Sequence, residues 1–330
     1  TKGEWWPQEQ IRPLRPAKLP QPVRIASALK KEDAFAKADW KQLPRLVSLP
    51  DLGVNDFRYS LYRAQVSLTS RQVAEERFLL FNMFTRDIVS VAVNGKQAKR
   101  LFPDRADAQS WTTRDCFERI RPDEYDNRFD VSGLLKEGDN EILVVYENLG
   151  HAHGYVPMEE LSGIREAGLS LTETALTHPL EWEYAADAAG VAQGWNLPQF
   201  APQDWQNVSL DVTCEIPAKG NGVQSKAEPD GLFTWYRIEF ELPGQKKGEW
   251  IPWLARINAS GNGYMWLNGN NIGRYWEAGP QREFFLPECW LNFGGGKKNV
   301  LGIGLRQTAN GAVLKAMEIA PYRNMAEIRK

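Results

Sequence analysis

Two blocks of this chain recur at one spacing. Leu61-Tyr62-Arg63-Ala64-Gln65-Val66-Ser67-Leu68 matches Trp235-Tyr236-Arg237-Ile238-Glu239-Phe240-Glu241-Leu242, 174 residues apart. At the same spacing Val93-Asn94-Gly95 matches Leu267-Asn268-Gly269. Upstream, Phe35-Ala36-Lys37-Ala38-Asp39-Trp40 matches Phe200-Ala201-Pro202-Gln203-Asp204-Trp205, and downstream Asn140-Glu141-Ile142 matches Asn299-Val300-Leu301. The spacing changes only between blocks, so the length differences fall in loops. The longest, over 103–127, has no counterpart in the second copy. A period this long exceeds the roughly 20–50 residues of a solenoid unit. It requires two copies of one whole domain, which suits a chain of 330 residues.

The repeated blocks read as strands and turns. Tyr236, Ile238, Phe240 and Leu242 alternate with Arg237, Glu239 and Glu241, as Tyr62, Ala64, Val66 and Leu68 alternate in the first copy. Period-2 patterning marks a half-buried antiparallel strand. Asn94-Gly95 and Asn268-Gly269 sit between apolar runs and predict tight hairpins, because both residue types tolerate positive φ. The runs 142–146 and 300–305 predict buried strands. A short Ala/Lys-rich stretch, 26–38, reads as one or two helical turns, and no longer amphipathic helix is evident. The pattern predicts an all-β fold of two sandwiches, with a lead-in at 1–24, one domain at 25–165 and another at 166–330. The lead-in holds Pro7, Pro13, Pro16, Pro20 and Pro22 and reads as an extended segment laid on a surface.

Composition narrows the partners. A net charge of −2 with mixed signs gives no support to nucleic acid or an anionic membrane. No apolar run approaches the ~20 residues of a membrane span. The start, Thr1-Lys2-Gly3-Glu4-Trp5-Trp6, lacks a leader's apolar core and reads as the cut edge of a longer protein. Three separated cysteines, Cys116, Cys214 and Cys289, fit neither a zinc site nor a disulfide framework and are expected as buried thiols. Thirteen Trp have two readings, sandwich cores or faces on which sugar rings stack.

No reaction centre declares itself. A retaining glycosidase needs two carboxylates about 5 Å apart, whereas Glu159-Glu160 would point to opposite faces of a strand. Gly-x-Ser-x-Gly is absent. Gly294-Gly295-Gly296-Lys297 lacks the spacing of a phosphate loop and reads as a turn. His151-Ala152-His153 would share a strand face but has no third ligand, so neither metal nor cofactor is expected. Two stretches mix hydrogen-bonding and planar groups as a sugar subsite does. One contains Asn148, His151, His153 and Tyr155; the other contains Arg274, Trp276 and Arg282. Each also reads as an interdomain contact.

A family likeness rests on these residues. Trp266-Leu267-Asn268-Gly269-Asn270-Asn271-Ile272-Gly273-Arg274-Tyr275-Trp276, then Gly279-Pro280-Gln281-Arg282 and Leu286-Pro287-Glu288-Cys289-Trp290-Leu291, resembles the C-terminal jelly roll of family 35 β-galactosidases. The first copy resembles the companion jelly roll of these enzymes, through Leu61-Tyr62-Arg63, Asn94-Gly95, Phe129-Asp130-Val131-Ser132-Gly133-Leu134-Leu135 and Glu147-Asn148-Leu149-Gly150. It departs from the family where His153-Gly154-Tyr155 replaces Asn-Tyr-Gly and Ser162 stands in place of Lys. The resemblance implies two galactose-binding-domain-like jelly rolls, a non-catalytic module that braces a (β/α)₈ catalytic barrel N-terminal to this chain. It further implies a galactoside or other glycan as partner and a periplasmic or extracellular setting. Two alternatives stay open: a structural module that binds no sugar, and accessory domains of another carbohydrate-active enzyme, such as a carbohydrate esterase.

Overall fold

The computed structural model describes residues 19–55, 58–84, 87–101, 125, 127–148, 162–186, 189–211, 232–245, 251–308 and 310–322. Its strands begin with β1 (Ile25–Asp33), β2 (Lys41–Gln42) and β3 (Tyr59–Leu68). After a short helix α1 (Ser70–Glu75) come β4 (Phe78–Met83), β5 (Ile88–Val93), β6 (Lys96–Gln97), β7 (Lys99–Leu101) and β8 (Asn127–Asp130). Next are β9 (Gly138–Glu147), β10 (Ile164–Ser170), β11 (His178–Pro179) and β12 (Trp182–Ala185). Beyond α2 (Ala189–Ala192) lie β13 (Gln206–Val208), β14 (Leu232–Glu241), β15 (Trp253–Ala259) and β16 (Asn262–Leu267). The last are β17 (Asn270–Tyr275), β18 (Glu283–Leu286), β19 (Lys298–Arg306) and β20 (Leu314–Pro321).

The duplication is visible in the sheets. One six-stranded sheet runs β2-β12-β3-β9-β5-β6 and the other β13-β1-β14-β19-β16-β17, so equivalent strands occupy equivalent places. Sheet β11-β10-β4-β8-β7 completes the first sandwich and sheet β18-β15-β20 the second. Tyr62, Ala64 and Leu68 enter the first core, and Tyr236, Ile238, Phe240 and Leu242 the second, as the alternation predicts. The chain is all-β in two jelly-roll sandwiches, as expected.

The domain boundary near 165 does not follow sheet membership. β1 pairs along its whole length with β14, from Ile25↔Phe240 to Asp33↔Leu232, and so belongs to the second sandwich. β10 and β12 pair with β4 and β3 and belong to the first. The first sandwich is therefore one continuous stretch nested within the second, which is assembled from two pieces. β1 also corrects the helical reading of 26–38. Its backbone groups are satisfied by two flanking strands, β13 and β14, and this long-range pairing outweighs a weak local propensity.

The repeated Asn-Gly pairs are hairpin turns with a latch. Asn94 and Asn268 adopt φ of 51° and 49°, followed by Gly95 and Gly269 at 75° and 88°, the left-handed pair of a tight hairpin. Asn94 Nδ2 donates to Asn140 Oδ1 (2.8 Å) and Leu134 O (2.9 Å), and Asn94 Oδ1 accepts from Glu141 N (3.1 Å). Asn268 repeats this with Asn299 Oδ1 (2.9 Å), Trp290 O (2.6 Å) and Val300 N (2.8 Å). The two Asn in each copy thus join a hairpin to the strand that receives it. The arginines of the Tyr-Arg blocks each lie near an aromatic ring, though not an equivalent one: Arg63 is 4.6 Å from the Trp40 ring and Arg237 6.0 Å from the Phe200 ring.

A third apolar cluster fills the seam between the two six-stranded sheets. Tyr59, Leu61 and Val145 come from the first sandwich; Phe233, Trp235, Tyr264 and Trp266 come from the second, with Trp195 alongside. Trp235 stacks on Trp266 at 5.4 Å and meets Trp195 edge-on at 5.7 Å. A Cβ on Gly304 would meet the Trp235 ring at 3.0 Å; the aligned position in the first copy is Val145. The second copy thus carries no side chain at this β19 position, where it seats an indole. Five Trp of the described residues (182, 195, 235, 253 and 266) are buried in the cores and the seam. The remaining four are half-buried. Cys289 is exposed rather than buried, because it lies in a short 3₁₀ turn, Glu288–Trp290, outside the strands.

Candidate functional site

Polar groups from both copies converge at one end of the seam. β9 ends at Glu147, which is fully buried, and the chain continues through Asn148. From β17, Arg274 donates its Nε–H to Glu147 Oε1 at 2.6 Å, and its Nη2 also approaches that oxygen. Burial disfavours the guanidinium's charge, but the Glu147 carboxylate outweighs burial and holds its pKa above the usual arginine value. The Arg274 guanidinium also lies 5.0 Å from the Trp276 ring centroid, a cation–π contact.

Around this ion pair the sandwiches are cross-bonded. Tyr264 donates its hydroxyl to the Asn148 carbonyl, and Tyr59 donates to the Asn262 carbonyl at 2.8 Å. Arg306 Nη1 donates to Ser90 Oγ at 3.2 Å. Burial, and then the nearby Glu147 charge, push the Tyr59 and Tyr264 phenols well above the ordinary tyrosine range. Both therefore stay protonated donors.

The segment 149–161 leaves and re-enters the described structure here. Asn148 Nδ2 lies 3.5 Å from Ser162 Oγ, and Leu49 N donates to Ser162 O at 2.7 Å. Gly163 N donates to the Tyr146 hydroxyl at 2.6 Å, and Tyr146 in turn donates to Asp87. Gly163 has φ of +116°, and a Cβ there would meet the Leu49 backbone nitrogen at 3.0 Å, so glycine is required. The described residues that flank 149–161 are thereby fixed, Asn148 at the seam and Ser162 and Gly163 against the first sandwich.

Of the seven sequence-selected residues, Asn148, Arg274 and Trp276 come together at this point. Arg282 is placed differently. Its guanidinium donates to the carbonyls of Trp276 (2.7 Å), Gln281 (3.1 Å) and Glu277 (2.6 Å) and lies 5.2 Å from the Tyr275 ring. It closes its own turn. His151, His153 and Tyr155 lie outside the described residues, as does most of 103–127. Sequence reasoning missed Glu147, Tyr59, Tyr264 and Asn262. Glu147 stood beside Asn148 in a quoted motif, but nothing local to it named a partner 127 residues away.

Several described carboxylates elsewhere are held in ion pairs. Glu283 and Glu318 flank Arg256, each at 2.7 Å, across β18, β15 and β20. The guanidinium between them makes a cross-strand ladder, not the facing acid and base of a glycosidase. Glu183 pairs with Arg63 at 2.6 Å. Burial opposes the charge on Glu239, yet Lys298 and Arg237 overcome it and hold the carboxyl below its usual range.

Comparisons with known proteins bear on this arrangement. Residues 233–296, which include Arg274, Trp276 and Arg282, match the family model described as β-galactosidase, galactose-binding domain. Beta-galactosidase 14 of Arabidopsis thaliana is 32% identical over 262 residues, covering 68% of this chain and 28% of that protein. Beta-galactosidase 10 of the same plant is 27% identical over 164 residues, covering 47% and 19%. The chain spans less than a third of the length of these relatives. A solved β-glucuronidase from Ruminococcus gnavus aligns over 94% of this chain and 46% of its own. Its TM-score is 0.28 and its identity 13%.

Proposed function

We propose that this chain, which carries the galactose-binding-domain region of the β-galactosidases, is the non-catalytic jelly-roll part of such a glycoside hydrolase. In this reading a catalytic (β/α)₈ barrel lies N-terminal to it. The jelly rolls brace the barrel, and the seam holds segment 149–161 at a fixed place where His151, His153 and Tyr155 meet a galactoside or the barrel rim. The observation that carries the reading is the match at 233–296, whose strands supply Arg274 and Tyr264 to the anchor of that segment. Asn148 and Arg274 then act by positioning, since their polar groups are engaged within the protein.

That engagement also favours a second reading, a purely structural module. The Arg274 and Arg282 guanidinium groups are directed at Glu147 and at main-chain carbonyls rather than outward. Titrating galactose and a β-galactoside into the purified chain, followed by calorimetry and Trp fluorescence, separates the two. Saturable binding at millimolar sugar that Tyr155→Ala weakens at least tenfold supports sugar contact. A flat titration selects the structural reading. Robust turnover of a chromogenic galactoside by this chain alone would overturn both.

A further inference from the structure

An apolar groove of about 330 Å³ opens at one end of the three-stranded sheet, lined by Ile251, Pro252, Trp253, Phe285, Leu291 and Tyr322. Phe285 is 59% exposed, the most exposed of the large hydrophobics among the described residues. Its ring meets Tyr322 edge-on at 5.2 Å. Neighbouring aromatic rings beside proline form the surface that receives extended, proline-rich chain elsewhere in proteins.

The path of the chain says what reaches it. Val23 forms an antiparallel bridge with Ile319, with Val23 N donating to Ile319 O at 3.0 Å. In that direction, residues before Val23 run alongside residues after Ile319, toward Tyr322. Leu19 packs against the second core, so the preceding 18 residues set out from the end of the sheet where the groove lies. They include Trp5, Trp6, Ile11, Leu14, Pro7, Pro13 and Pro16. An extended chain covers ~3.3 Å per residue, so the segment is long enough to turn back and bring the tryptophans to the groove. Lys2, Arg12, Arg15 and Lys18 outnumber Glu4 and Glu9 in the same segment, and Glu288 stands on the groove's rim, so net charge does not oppose the approach.

We propose that the groove is the seat of the chain's own lead-in, residues 1–18, with Trp5 and Trp6 against Phe285 and Tyr322. Seated there, the lead-in fixes the direction from which anything attached ahead of it meets the second sandwich. The inference stands on the groove and the strand register, and does not depend on the sugar-binding reading.

The test uses the full chain with spin labels on the native Cys289, which adjoins the groove, and on Gln8→Cys, with Cys116→Ser and Cys214→Ser. An unseated segment of this length spreads over roughly 20 Å r.m.s. and gives a broad distance distribution. A seated one gives a narrow peak. Phe285→Glu, an exposed position, and Trp5→Ser/Trp6→Ser, outside the described sandwiches, are each expected to remove most of that peak while the melting profile holds. A broad distribution in the parent chain overturns the proposal. So does a narrow peak indifferent to both changes, which would place the segment elsewhere. A signal that grows with protein concentration also overturns it, and assigns the groove to a second copy.

Discussion

Removing Arg274 tests whether the seam is a working joint between the sandwiches. Arg274→Met keeps most of the aliphatic bulk and deletes the charge, leaving the fully buried Glu147 without its counter-ion. Breaking a buried pair from one side costs about 3–5 kcal/mol. The Arg274 side chain retains 15% exposure, which admits some solvent, so a loss of about 3 kcal/mol is expected. For a domain pair this large that corresponds to a melting shift of roughly 6–12 °C. Urea unfolding at neutral pH reads the loss. Glu147→Leu with Arg274→Met should recover most of the loss, because an apolar pair needs no compensation. A loss below about 1 kcal/mol for Arg274→Met, or a double variant no more stable than the single one, would refute the reasoning.

Asn268→Ala removes three hydrogen bonds and places a Cβ-bearing residue without amide support at positive φ; a loss of about 2–3 kcal/mol in denaturant midpoint terms is expected, with Asn94→Ala close behind. Glu32 is buried on β1 beside the Trp235 indole and the Gly190 amide, without a normally formed hydrogen bond to either carboxylate oxygen. Burial raises its pKa against the pull of Lys37, so its ionisation costs stability as pH rises through and above the carboxylate range. Glu32→Gln should therefore melt higher than the parent at neutral pH and equal it near pH 4; a lower Tm at neutral pH would sink the idea. Producing 1–165 and 166–330 as separate polypeptides should give insoluble pieces, since the first lacks most of β10 and all of β12 and the second lacks β1. Two soluble, cooperatively melting halves would contradict the nested arrangement.

The parts of the fold that were readable in the sequence are those whose causes are local. Positive φ at Asn-Gly and the alternation around Tyr-Arg act over a few residues, so both copies declared themselves. Sheet membership of β1 was not readable. Its nine residues carry charges at Lys30, Lys31, Glu32 and Asp33, and only the pairing offered by β14, some 200 residues on, makes them a strand. The seam hides for a similar reason. Tyr59 and Leu61 look like ordinary strand residues until a second sheet covers the outer face, and Gly304 looks like a weak spot until Trp235 lies over it. Arg274 was selected for its planar charge, but its partner Glu147 belongs to the other copy, where no spacing rule connects the two.

The nesting has a consequence for synthesis. β1 leaves the ribosome before its partner β14, which begins about 200 residues later. At ~5–20 residues per second the nascent strand waits roughly 10–40 s with both edges open, while the first sandwich closes beside it. An unpaired strand is an invitation to pair with any neighbour, and inserted charge is how natural sequences refuse. The run Lys30-Lys31-Glu32-Asp33 that obscured β1 as a strand is, by that principle, expected to discourage the growing chains on one message from pairing in that interval.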